Sequence, residues 1–192
     1  MFQSVLNATV NLLLFRIGPQ DFPFDINLTR VLVPAAALAN YAVLVMAVNP
    51  VVAAAMSIAV VMGTAMAAHL ILRARKLEAR FTQTYHAMLA VSTLLTLGLV
   101  LPFSQIAPEL EKLAQNPEAL ETASLDIPGW AALTMNALNI WNFVVNAHIL
   151  RHAAGMGIGG GLLLALLVAF GVLMFVLFFA TLAGMLVGAT PG

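Results

Sequence analysis

His148 and His152 stand four residues apart in the stretch NAHILRH and flank Arg151. On a continuing helix they share one face, a spacing that metal ligands can use. A zinc site needs three or four ligands, and His69 and His86 complete the chain's four histidines. Against a metal, HILRH carries no glutamate to act as base, unlike the HExxH pattern. A bis-histidine haem wants its ligands on facing helices. All four histidines instead fall beside basic residues: His69 before Arg73, His86 after Arg80, and His148 and His152 around Arg151. Imidazole has an apolar body and a polar tip and collects, like arginine, where a membrane meets water. The expectation is an interface cluster with no cofactor. A metal- or haem-binding protein using His69, His86, His148 and His152 is the third-ranked alternative.

The second chemical feature is a run of asparagines. Asn136, Asn139, Asn142 and Asn146 occupy one face about 120° wide at 100° per residue. They lie in an otherwise apolar stretch, where polar groups must find partners inside the protein or line a cavity. Asn40, Ser57, Thr64, Ser92, Thr93 and Thr96 are the groups on other segments that could meet them. Interhelical hydrogen bonding explains such a face, each bond contributing about 0.6–2 kcal/mol. A polar interior for a small ligand is the functional alternative. Apart from Arg30 at the edge of the first, no Asp, Glu, Lys or Arg lies inside an apolar stretch, which argues against ion- or proton-coupled transport. GMGIGG, residues 155–160, has the spacing of a dinucleotide fingerprint but lacks the preceding strand and the following acidic residue. It reads as a glycine turn. Ser, His and Asp are too scattered for a triad.

The elements that must position these residues are membrane helices. Of 192 residues, 62% are hydrophobic and only 8% charged, with a mean hydropathy of +1.00, whereas a soluble domain is about a quarter charged. About 20 apolar residues cross a bilayer. Five stretches qualify, at about 28–48, 51–72, 84–103, 128–150 and 161–187. Asn49-Pro50 breaks the first from the second, because proline cannot continue a helix through it. Residues 1–27 form an N-terminal interfacial amphipathic helix, with Gln3, Ser4, Asn7 and Asn11 on its polar side, and a cytoplasmic elbow, RIGPQDFPFD. The elbow's Asp21 and Asp25 are expected to pair with nearby basic residues. Residues 28–192 form the membrane domain. Residues 105–127 form an acidic extracytoplasmic loop, in which PELEKLAQ and PEALETAS read as two short helices. Gly171, Gly184 and Gly188 on the last stretch are candidate helix-packing positions, the last two as a GxxxG. The fold expected is an all-α integral membrane protein, a five-span helical bundle with an interfacial helix.

Seven of the eight basic residues lie on one side if there are five spans, and only Lys112 lies on the other. The positive-inside rule then places the N-terminus in the cytoplasm and the C-terminus in the periplasm, in a bacterial inner membrane. A net charge of zero gives no basic excess for nucleic acid, and the absence of cysteine removes disulfides and thiolate sites.

FRIGPQDFP before the first span, ARFTQTYHAML entering the third and WNFVVNAHILRHA closing the fourth resemble the Yip (Rab-GTPase-interacting) superfamily, in particular its small bacterial inner-membrane members. The resemblance implies a five-span architecture with a cytoplasmic N-terminus. The long acidic N-terminal region and tyrosine-containing motif of the eukaryotic proteins are missing here, so Rab binding does not carry over, and no catalytic residue transfers. The leading functional expectation is a non-enzymatic accessory or scaffold subunit. Its partners would be the lipid bilayer and other membrane-protein subunits, with homo-oligomerisation compatible. A small-molecule or lipid transporter lined by Asn40, Asn136, Asn139, Asn142 and Asn146 is the alternative.

Overall fold

A computed structural model describes residues 2–115 and 127–188. Among these residues the structure is helical, without strands. Six helices follow one another: α1 (Phe2–Leu13), α2 (Thr29–Leu44), α3 (Pro50–Ala74), α4 (Phe81–Gln115), α5 (Gly129–Ala153) and α6 (Ile158–Val187). Local chemistry sets several boundaries. Pro50 sits in the first turn of α3, where its missing N–H has no intrahelical partner to lose. The Asn49 side-chain oxygen accepts from Val51 N at 2.9 Å and caps the same end. Helices α1, α3 and α5 all stop on a residue in the left-handed region: Phe15, Lys76 and Gly155. In each case the next amide reaches back five residues, Arg16 to Asn11 O, Leu77 to Leu72 O and Met156 to Arg151 O, at 2.8–2.9 Å. This closes off the last free carbonyls of each helix.

Four helical stretches are long and apolar enough to cross a membrane: Ile26–Leu44, Pro50–Ala74, Glu78–Lys112 and Ile158–Val187. The fourth sequence stretch also folds as one helix, α5, of 25 residues. With four asparagines, two histidines and an arginine, it is too polar to be counted by composition. The third stretch was expected to end near Phe103 and give way to a loop, but α4 continues unbroken to Gln115. PELEKLAQ is therefore the end of α4 and not a separate helix. Leu, Ala, Glu, Lys and Gln are strong helix formers and carry the helix past Pro108. PEALETAS, with Glu118, Glu121 and Asp126, lies outside the described residues.

The helices close a ring. α2 packs on α3, α3 on α6, α6 on α5, α5 on α4 and α4 back on α2, the α3–α6 seam being the most extensive. The core runs from Leu32 and Ala36 of α2 through Val61 and Ala68 of α3, Ala87–Val91 of α4 and Val145–Leu150 of α5 to Ala165 and Val168 of α6. α5 and α6 approach closely at Gly161. A Cβ built there would stand 2.5 Å from Ala147 O and 2.6 Å from Arg151 Cβ, so only glycine fits.

α1 lies on the flank of this ring against α4 and α5. Its surface divides into three sectors of about 100° each. Val5, Ala8, Thr9 and Leu12 face the bundle, Leu12 being fully buried. Phe2, Leu6 and Val10 form an exposed apolar stripe, and Gln3, Ser4, Asn7 and Asn11 the polar one.

Candidate functional site

The ring encloses a cavity of about 270 Å³ to which all five of its helices contribute. Its polar wall comes from Asn40 of α2, Ser92 and Thr96 of α4, and Asn139, Asn142 and Asn146 of α5, with Thr64 of α3 opposite. Valines of α3 and α6, among them Val61, Val168 and Val172, form an apolar wall. The lining spans Met88–Thr96, Asn139–Asn146 and Ala165–Val172. Counted along each helix from the end that carries the basic residues, these segments begin about 10 Å and end about 21 Å away, at 1.5 Å per residue. The cavity thus sits about midway along helices long enough to cross a hydrocarbon layer about 30 Å thick. No ionisable side chain lines it.

The asparagine amides share one arrangement. Asn40 Nδ2 donates to Ala36 O, Asn139 Nδ2 to Met135 O and Asn146 Nδ2 to Asn142 O, at 2.8–2.9 Å. A backbone carbonyl only accepts, so the nitrogen must face the helix. Asn40 and Asn139 each keep their amide oxygen and a second N–H to offer the cavity, and both Asn146 N–H groups are spent on Asn142. Asn142 Oδ1 is already engaged, accepting from Asn146 Nδ2 at 2.8 Å and Ser92 Oγ at 3.3 Å. Asn146 Oδ1 is buried and has no partner. Thr64 likewise turns its hydroxyl hydrogen onto its own helix. The lining therefore offers amide oxygens and amide N–H groups together, with Asn146 Oδ1 buried and without a partner.

Not every polar residue singled out by sequence joins this site. Asn136 donates to Ala132 O and is exposed, below the cavity. Ser57 is buried and bonded to Ala53 O, and Thr93 lies on the outer side of α4, facing α1. The apolar half of the wall was missed altogether. Its residues follow the same pattern as lipid-facing ones, so nothing in the sequence marks them.

At the basic end the connecting segments are tied together. Arg75 Nε donates to Ala154 O at 3.3 Å, and Arg80 Nη1 to His152 O and Ala153 O at 3.3 and 3.1 Å. These cations meet the negative end of the α5 dipole. Gln83 Nε2 donates to Gln20 O and Phe22 O, holding the elbow. Asp21 and Asp25 do not pair with arginines. Their carboxylates accept from Gly18 N and Asn27 N and shape local turns.

The four histidines take separate structural posts. His86, fully buried, shares a 2.7 Å hydrogen bond with Thr29 Oγ1. His69 packs edge-on against Phe81. His148 Nε2 donates to Ile17 O at 2.9 Å, and its ring meets Phe15 and His152. Arg151 Nη2 donates to His152 Nε2 at 3.2 Å, which requires that nitrogen to be unprotonated. Burial first, then the neighbouring His148 and Arg151, pull the His152 imidazole below its ordinary value, with Asp21 opposing. Among the described residues, no group of three or more His, Cys, Asp or Glu is placed to hold a metal ion.

The glycines named from sequence are spread out. Gly171 has open space beside it, Gly184 is buried, and Gly188 ends α6 in the left-handed conformation. A close approach also falls on Gly161, one of three consecutive glycines whose spacing carries no packing signature. No protein-family model, curated protein or solved structure matches the chain.

Proposed function

We propose that this is a five-span integral membrane protein that binds a small, uncharged molecule bearing hydrogen-bonding groups, a donor among them, on one side and apolar surface on the other. The observation that carries this reading is the common orientation of the cavity asparagines, with Asn146 Oδ1 buried and unpartnered. A buried acceptor without a donor costs about 1–3 kcal/mol, and a ligand N–H or O–H would relieve it. The volume, about 270 Å³, stands at the lower end of the roughly 300–1,000 Å³ range of small-molecule sites. The lining supplies no group to carry a proton or attack a bond, so the role is non-enzymatic.

Ring closure supports counting α5 as the fifth span. It packs against α4 and α6, both apolar enough to cross, and its polar face is turned toward the cavity. With five spans, the elbow, the α3–α4 and α5–α6 turns and the helix ends beside them, which together carry seven of the eight basic residues, fall in the cytoplasm of a bacterium. The C-terminus then lies in the periplasm. The resemblance to the Yip superfamily contributes an expected architecture to this reading and no activity.

The absence of native cysteine provides a test. Asn146→Cys and Asn139→Cys in the full chain in vesicles should react with a small methanethiosulfonate reagent, and butyramide should protect them. Ala59→Cys, at a fully buried position outside the lining, should stay unlabelled. Failure of both asparagine variants to react would mean a dry, closed interior and would remove the binding role.

An accessory-subunit role is the second reading, favoured by the length of α4. Its 35 residues span about 52 Å at 1.5 Å per residue, well beyond the hydrocarbon layer, and give a partner a helical handle near Glu109 and Glu111. Isolation from native membranes in mild detergent as a partner-free monomer would count against it.

A further inference from the structure

We infer that a groove between the start of α6 and the end of α5, roofed by Phe15, is a binding site for an anionic phospholipid, with Arg151 as its phosphate ligand. The groove encloses about 280 Å³ and is lined by Phe15, Val144, His148, Arg151, Ile158 and Leu162. It is separate from the asparagine cavity and stands whether or not that cavity binds a solute. Val144 to Arg151 covers about 10 Å along α5, so one end of the groove lies at the basic edge and the other among the apolar residues. That is the reach of a headgroup and the first part of an acyl chain.

The charge arrangement selects the occupant. Arg151 is half-buried, and its guanidinium has five N–H donors. Among the described residues one of them is used, Nη2 to the neutral nitrogen of His152, and Nε is buried with no partner. No carboxylate pairs with it among these residues. A half-buried cation without a counter-charge is costly, and a planar guanidinium matches a phosphate through two parallel hydrogen bonds. The side chain is also held in place. Its Cβ lies against Gly161, where α5 and α6 approach closely, and its His152 partner is ring-packed on His148. His148 is in turn bonded to Ile17 O. Phe15 closes the groove from α1, packed on Trp141 and His148 with ring centroids 5.3 and 5.2 Å apart. It holds the left-handed conformation, φ 57°, which a bulky side chain adopts only when surrounding contacts impose it. The apolar walls take a chain, and the arginine takes a phosphodiester.

Trp141 is a built-in reporter, touching Phe15 at the groove. Trp130, the other tryptophan, lies eleven residues away and is removed by Trp130→Phe. The full-length protein carrying that change is reconstituted in phosphatidylcholine vesicles with rising fractions of dibrominated phosphatidylglycerol or dibrominated phosphatidylcholine. Phosphatidylglycerol should quench Trp141 with a preference of about fivefold, the size of one arginine–headgroup attraction. Arg151→Gln should bring the preference close to one, and Arg73→Gln, a basic-edge residue outside the groove, should keep it. Equal quenching by both lipids in the parent protein would overturn the site, as would an equal loss in Arg73→Gln. Millimolar sodium phosphate should leave the quenching unchanged, and displacement by it would show a site for a soluble anion instead. If Arg151→Gln does not fold, Arg151→Lys keeps the charge but not the planar fork. A reduced preference there supports the assignment, and an unchanged one overturns it.

Discussion

Gly161→Ala tests how the ring is held shut. The added Cβ would lie 2.5 Å from Ala147 O and 2.6 Å from Arg151 Cβ. Ordinary contacts to carbon are about 3.5–4.0 Å, so each is short by about 1 Å. Neither neighbour can rotate away, since one is backbone and the other the first atom of a side chain. Helices α5 and α6 must therefore separate by about 1 Å over the turn that faces Ala147 and Arg151. Overpacking of this kind costs about 1–3 kcal/mol, a shift of about fivefold to a hundredfold in the folding equilibrium. Gly171→Ala is the control, because a Cβ there meets nothing within 4 Å. It should be neutral or stabilising by up to about 1 kcal/mol, the helical advantage of alanine over glycine. Both tryptophans lie on α5, so their fluorescence reports directly on the strained seam during unfolding in mixed detergent–dodecyl sulfate micelles. Equal stability of Gly161→Ala and the parent protein, or a loss in Gly171→Ala as large as in Gly161→Ala, would refute the close approach and with it the placement of Arg151.

Further outcomes follow from the same geometry. Asn146→Leu removes the unpartnered Oδ1 along with two bonds to Asn142, to its O and its Oδ1, so the fold should stay within about 1 kcal/mol of the parent while thiol labelling at Asn139→Cys loses its protection by butyramide. A destabilised variant would mean that the amide serves packing alone. His152 is held below the ordinary imidazole value of 6.5, so the folded state binds its proton less readily than the unfolded chain. The resulting penalty is absent above that value, grows as pH falls through it and is complete below the lowered folded value. Unfolding midpoints should fall on acidification over that window, and His152→Asn should flatten the dependence. An unaltered slope in that variant would refute His152 as its source. Reporter fusions at the two ends should be active in opposite compartments, and activity on the same side would mean that α5 does not cross.

The helical character, the turn at Asn49-Pro50 and the gathering of the basic residues at the segment ends could be read from the chain, because apolar length and charge position depend only on local order. The shared face of the α5 asparagines was legible for the same reason, since 3.6 residues per turn fixes it. The continuation of α4 was not legible. Proline and acidic residues mark helix starts as well as loops, and only the neighbours of Ile106 and Ala107, both buried, decide between them.

The sequence by itself determined the solvent, lipid, and the segments long enough to meet it, since both follow from summed hydropathy along the chain. The tertiary structure decided which of the polar residues meet. Asn40, Ser92, Asn139, Asn142 and Asn146 share one cavity while Asn136 and Ser57 do not, because a void depends on the volumes of side chains on five different helices. It also placed a close helix approach at Gly161, because spacing along one helix cannot show where a second helix crosses it.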